Sequence, residues 1–306
     1  MDTARNPKWD KVLGILAMIC KVVLAVVILF GADYIVAFSM LFLKINYTYY
    51  IGTFYFISAV LAAVLLYIFS RVEGQMHEKK KANLIRFNRM GFSGVIAGIV
   101  IAFAILGFVT FYMYIVNIMT VMDDVSEAVE KYKDSVEAYK PEVIYPVWDQ
   151  LLYAFTLTFL VPISEEFTFR GIVYGAINRK LNGAWAIVLS ALVFGVMHGV
   201  SIHIGYAFAA GLIIGLAYYA FDSIFVCMVI HSVFNFFGSA IFIVGDALGV
   251  KRDQIPGFFT LQIMMFIPAS MILGYSVLKR RDINRQKNLV VFGRENSEEV
   301  ASSEQT

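Results

Sequence analysis

Apolar residues occur along this chain in long runs, and polar residues fall mostly between the runs rather than alternating with them. A hydrocarbon core about 30 Å thick needs roughly 20 apolar residues of helix, at about 1.5 Å per residue. Eight runs approach or exceed that length, near residues 12 to 31, 48 to 70, 91 to 118, 147 to 170, 184 to 200, 204 to 221, 223 to 244 and 258 to 278. The pattern predicts an all-α fold, a polytopic membrane protein of about eight transmembrane helices, because helices satisfy their own backbone in lipid. Lys21 and Asp33 interrupt the first run, so an interfacial helix followed by a span from about 22 to 43 fits equally well. The predicted organisation is an N-terminal three-span region over 1–146, a core over 147–244, a last span over 245–280 and a disordered tail over 281–306.

Composition agrees with this picture. Of 306 residues, 59% are hydrophobic and 16% charged, and the mean hydropathy of +0.72 lies far outside soluble usage. The basic N-terminal "MDTARNPKWDK" precedes a long apolar run with no A-x-A-like site, which predicts an uncleaved anchor. A near-neutral net charge of +2 makes no case for nucleic acid, and the basic loops suit topology and membrane lipid headgroups. Residues 71 to 89 hold six basic residues and the tail opens "KRRDINRQK", which places both on the cytoplasmic side. Residues 123 to 146 carry seven acidic residues against three basic, so they should lie outside, as an amphipathic helix or a lid. With an even number of spans, both termini are expected in the cytoplasm. Lys251 and Arg252 dissent mildly, in a predicted outer loop.

Cys20 and Cys227 sit in apolar runs and read as packed thiols. Gly94 with Gly98, Gly171 with Gly175, and Gly211 with Gly215 are small-xxx-small pairs that suit close helix packing. Internal repeats of the kind that mark secondary transporters are not seen.

Ionisable residues at membrane depth are costly and mark candidate sites. Besides Lys21 and Asp33 they are Glu165, Glu166 and Arg170 on the fourth run, His198 on the fifth, and His231 with Asn235 on the seventh. Glu166 and Arg170 are spaced i, i+4 with the acid first, the favourable order for an ion pair. That leaves Glu165, about 100° round the helix, to face something else. Glu165 lies 14 residues before Arg179, about 21 Å of helix; His198 lies 14 residues beyond Ala184, again about 21 Å. His231 and Asn235 lie 9 and 13 residues past Asp222, roughly 14 and 20 Å. Three helices therefore bring their costly groups to similar depth.

A carboxylate and an imidazole facing one water can remove its proton and return it to a leaving amine. A second imidazole and a carboxamide can supply donors to an oxyanion. Two histidines and a carboxylate can also hold Zn²⁺, with Glu165, His198 and His231 as the ligand set. Asn235 is a better donor than zinc ligand, which favours metal-free hydrolysis with no cofactor required. Phe194, one turn before His198, reads as packing that orients the imidazole, while His203 reads as part of the turn that follows and His77 as part of a basic loop.

These residues form three ordered motifs. "EEFTFR" fits E-E-x-x-x-R, "FGVMH" fits F-x-x-x-H and "HSVFN" fits H-x-x-x-N, and the chain thereby resembles the CPBP family of CAAX proteases and bacteriocin-processing proteins. The resemblance covers about residues 147 to 244. It implies an intramembrane endopeptidase in which Glu165 and His198 activate water, His231 and Asn235 hold the oxyanion, and Glu166 with Arg170 gives structural support. It implies a membrane protein or peptide substrate, lipidated in the prenyl-protein members. Two other readings of the same residues are a catalytically silent immunity or scaffold protein and a proton-coupled transporter.

Overall fold

The computed structural model describes residues 7–76, 84–119, 127, 130–131, 146–199, 201–251, 254–255 and 257–303. Nearly all of the acidic segment 123 to 146, together with His77 and Arg252, lies outside the described residues. Nine helices are distinguished among the described residues: α1 (Pro7–Phe42), α2 (Ile51–Met76), α3 (Phe92–Met119), α4 (Val147–Asn178), α5 (Gly183–Val196), α6 (Ser201–Phe221), α7 (Ile224–Ala247), α8 (Phe259–Met264) and α9 (Phe266–Ser303). The described residues hold no strand, only an isolated antiparallel bridge between Phe87 and Ser223. Seven helical stretches are long and apolar enough to cross a membrane, with α8 and most of the apolar part of α9 forming the last. The protein is an all-α polytopic membrane protein.

The predicted span from 184 to 200 is the exception to the expected eight. Helix α5 has 14 residues, about 21 Å, too short for a 30 Å core. Asn182 caps its start by accepting from the Trp185 N–H at 3.1 Å. It ends in a turn at Met197 and His198, where Gly199 at φ 75° reverses the chain into α6. A Cβ at Gly211 would lie 3.2 Å from the Ala191 Cα, and one at Gly215 would lie 3.3 Å from Ile187, so α5 packs antiparallel against α6 through these glycines. Gly98 likewise admits Val229 of α7. Gly171 and Gly175 differ from expectation: they admit Ile85 and Leu84 of the α2–α3 connection rather than another helix.

Helix α1 is continuous, without the break that an interfacial segment would need. Lys21 forms an ion pair with Glu73 of α2, which is only 2% exposed. Arg179, just beyond α4, reaches the same Glu73 oxygen at 3.2 Å. The charge at Lys21 is thus matched at the end of the bundle that also holds Arg179, leaving the stretch from 22 onward uncharged up to Asp33. Helix α2 starts on the buried Asp149 carboxylate of α4, which accepts from the Gly52 N–H at 2.7 Å and the Thr53 N–H at 2.9 Å. Helix α9 runs to Ser303, through the segment expected as a disordered tail. That segment holds Arg281, Arg285, Arg294, Glu295, Glu298 and Glu299, which are good helix formers, and extending an existing helix avoids the nucleation cost.

Candidate active site

Helix α4 carries the paired glutamates between two π-helical turns, Thr156–Leu160 and Phe167–Val173. A third π turn, Phe236–Ala240, follows Asn235 in α7. Such turns insert a residue and re-aim the faces beyond it, and they recur at functional sites. The first has a local cause. In its register the Val161 N–H bonds the Thr156 carbonyl, and the next donor in line for Leu157 would be residue 162, a proline without an N–H. Asn235 replaces that donor, its Nδ2 giving a hydrogen bond to the Leu157 carbonyl at 2.9 Å. The amide is thereby fixed, with its second N–H and its oxygen left for other partners.

Glu166 is fully buried and Arg170 is 1% exposed. Arg170 donates to Glu166 Oε1 at 2.9 Å, lies 4.6 Å over the Phe194 ring, and approaches the Gly211 carbonyl at 3.4 Å. The same Glu166 oxygen lies 2.7 Å from His231 Nδ1. A carboxylate accepts, so His231 presents its proton at Nδ1 there and turns Nε2 towards Glu165, whose Oε2 is 3.5 Å away. The His231 ring therefore bridges both glutamates of α4.

His198 ends the short α5. Its Nδ1 lies 2.8 Å from the Phe194 carbonyl, which can only accept, so in the neutral ring Nε2 keeps the lone pair. The Phe194 ring stands 4.6 Å from the His198 ring and 6.0 Å from that of His231, centroid to centroid. Phe194 thus packs against both imidazoles and the Arg170 guanidinium.

A cavity of about 520 Å³ opens beside these groups, lined by His198, His231 and Asn235 and walled by Phe194, Phe237 and Phe242. Glu165 is not on its lining; it faces a second cavity of about 220 Å³ shared with Asp33, Ser58 and Tyr55. The close partner of Glu165 is His231 rather than His198. His203, expected in the turn after α5, instead stands on the first turn of α6, lines the larger cavity, and has its ring 5.6 Å from that of His198. The available signal was its five-residue spacing from His198 across Gly199. Among the described residues no three His, Cys, Asp or Glu side chains gather as a metal ion requires, so Glu165, His198 and His231 form no assembled zinc ligand set.

Residues 147–237 match the family model described as type II CAAX prenyl endopeptidase, Rce1-like. The matched segment contains Glu165, Glu166, Arg170, Phe194, His198, His231 and Asn235. No curated protein and no solved structure matches the chain.

Proposed function

Starting from the similarity of residues 147–237 to a CAAX-type intramembrane protease family, we propose that the chain is an endopeptidase hydrolysing a peptide bond in a membrane-associated protein or peptide. The observation that carries this reading is the His231 ring, 2.7 Å from Glu166 and 3.5 Å from Glu165 on the wall of an apolar cavity. Glu165 takes a proton from water, and the hydroxide adds to the substrate carbonyl carbon. His198, with its Nε2 lone pair available, orients that water from the other side. The oxyanion accepts from the second Asn235 N–H and from His231 Nε2–H when the ring is doubly protonated. The proton on Glu165 then passes to the leaving amine as the C–N bond breaks.

Glu166 holds the His231 ring, and Arg170 balances its charge at full burial. The aromatic walls of Phe194, Phe237 and Phe242 suit an apolar or lipidated segment next to the scissile bond. The Lys and Arg distribution supports termini on the cytoplasmic side. Helices α5 and α6 run antiparallel, and Arg86 lies over both Tyr174 of α4 and Tyr218 of α6, so this pair returns the chain to the end it left and six single crossings remain. Residues 147–244 are the catalytic core between the N-terminal spans and the last span.

The test is cleavage of membrane-embedded candidate peptides, prenylated and unprenylated, by purified wild type and Glu165→Gln, each with and without a chelator. Chelator-resistant cleavage lost in the variant supports the scheme. Equal cleavage by both proteins removes Glu165 from it, and chelator-sensitive cleavage moves the chemistry to a metal.

A further inference from the structure

Peptide hydrolysis consumes one water for every bond cut, and hydrocarbon supplies none. The cavity behind Glu165 has the features to meet that need. Lys21 of α1 and Arg179 after α4 meet at the same Glu73 oxygen and so lie level with each other. From that level Asp33 is 12 residues along α1 and Glu165 is 14 residues back along α4, about 18 and 21 Å respectively. The two carboxyls therefore reach the same depth, and both line the cavity of about 220 Å³.

A carboxyl on a membrane-spanning helix is costly to keep, and Asp33 has no cation among the residues that share its cavity. Ser58 of α2 lines the same space. It is 1% exposed, and its hydroxyl faces the Asp33 carboxyl. One hydroxyl leaves most of a carboxylate's acceptor positions open, and water fills them when the space is polar and roomy. At about 30 Å³ per molecule the cavity has room for roughly seven waters. Leu29, Phe30, Ala59 and Val161 add apolar surface to its lining.

We propose that this cavity is a water-holding vestibule for Glu165, in which Asp33 and Ser58 anchor the waters that reach it. The substrate enters on one side of the Glu165–His231 pair, in the larger cavity, and water is held on the other. Asp33 is a positioning residue: it touches water, not substrate, and acts through Glu165. Its kinetic consequence rests on the protease reading given above; its occupancy by water does not. Asp33 lies outside the segment that matches the family model.

Two measurements test this on the full chain in lipid nanodiscs. X-ray hydroxyl-radical labelling reports bound water directly. Tyr55 is expected to be labelled in wild type and to lose most of that labelling in Ala62→Leu, which fills the cavity with no change of charge, and in Asp33→Leu. In peptide cleavage, both variants are expected to lose roughly tenfold or more in kcat with KM little changed, as misplaced reacting groups do. Asp33→Asn keeps a polar anchor and should restore most of the rate. Tyr55 labelling that is absent in wild type, or unchanged in Ala62→Leu, overturns the vestibule. Labelling that falls while kcat stays at the wild-type value overturns the role of Asp33. If wild type cleaves none of the peptides, the protease reading fails by itself while the labelling still decides the vestibule.

Discussion

His231 Nδ1 stands 2.7 Å from Glu166 Oε1, and this contact joins α7 to α4 at the centre of the site. The same oxygen accepts from Arg170 at 2.9 Å. The Glu166–Arg170 pair thus does more than cancel two charges on one helix. It supplies the acceptor that decides which nitrogen of His231 faces Glu165.

Removing one member of this buried pair leaves the other charge without compensation. Glu166→Gln and Arg170→Leu are each expected to cost about 3–5 kcal/mol. The double variant should cost less than the two together, because no lone buried charge remains. Thermal or denaturant unfolding in lipid micelles gives the three values; simple additivity would show that the charges do not interact.

Pro162 is expected to influence catalysis from the opposite side of α4. Pro162→Ala restores a backbone N–H that can compete with Asn235 for the Leu157 carbonyl, now bonded at 2.9 Å. The variant should be at least as stable as wild type, because proline is costly inside a helix. Its kcat should fall while KM holds, since the amide is no longer fixed. A stable variant with unchanged kcat would separate Pro162 from the position of Asn235.

Asn235→Ala removes a proposed oxyanion donor, and losses of this kind are about 10²- to 10³-fold in kcat. Steady-state cleavage should show that loss with KM little changed. A variant that loses only KM would mark Asn235 as a substrate-binding group instead.

Gly199 holds φ 75° at the turn that ends α5. Gly199→Ala is expected to cost about 1–2 kcal/mol for a left-handed residue with a side chain. It should also lower kcat by moving His198 next to it. Unfolding and cleavage measured together check both, and a silent variant would show that the turn tolerates a right-handed conformation.

The orientation read from basic residues can be tested by cysteine labelling in intact cells. A membrane-impermeant maleimide should reach Ser126→Cys from outside and reach Ser303→Cys only after permeabilisation. The opposite pattern would invert the topology.

Much of the site was legible from residue spacing. Glu166 with Arg170, and His231 with Asn235, are i, i+4 pairs whose shared faces follow from helix geometry alone. The one-residue step of about 100° between Glu165 and Glu166, which gives them different partners, was legible for the same reason. Glu73 was not legible as the partner of Lys21 and Arg179, because the three residues are far apart in sequence and only helix packing brings them together. The donor from Asn235 to Leu157 was hidden too, since a missing N–H at Pro162 matters only once the π register is known. The short α5 has the length of a span in the sequence because its apolar run continues past the point where Gly199 turns the chain.

By itself the sequence determined that this is a helical membrane protein, and which few polar residues its helices must hide. Run length against bilayer thickness and the cost of charge in hydrocarbon are both local properties of the chain. Only the tertiary structure decided that His231 faces both glutamates, that Glu165 looks away from the larger cavity, and that Asp33 shares its space. Those relationships depend on how separate helices are rotated and raised against one another, and the packing of the whole bundle sets that.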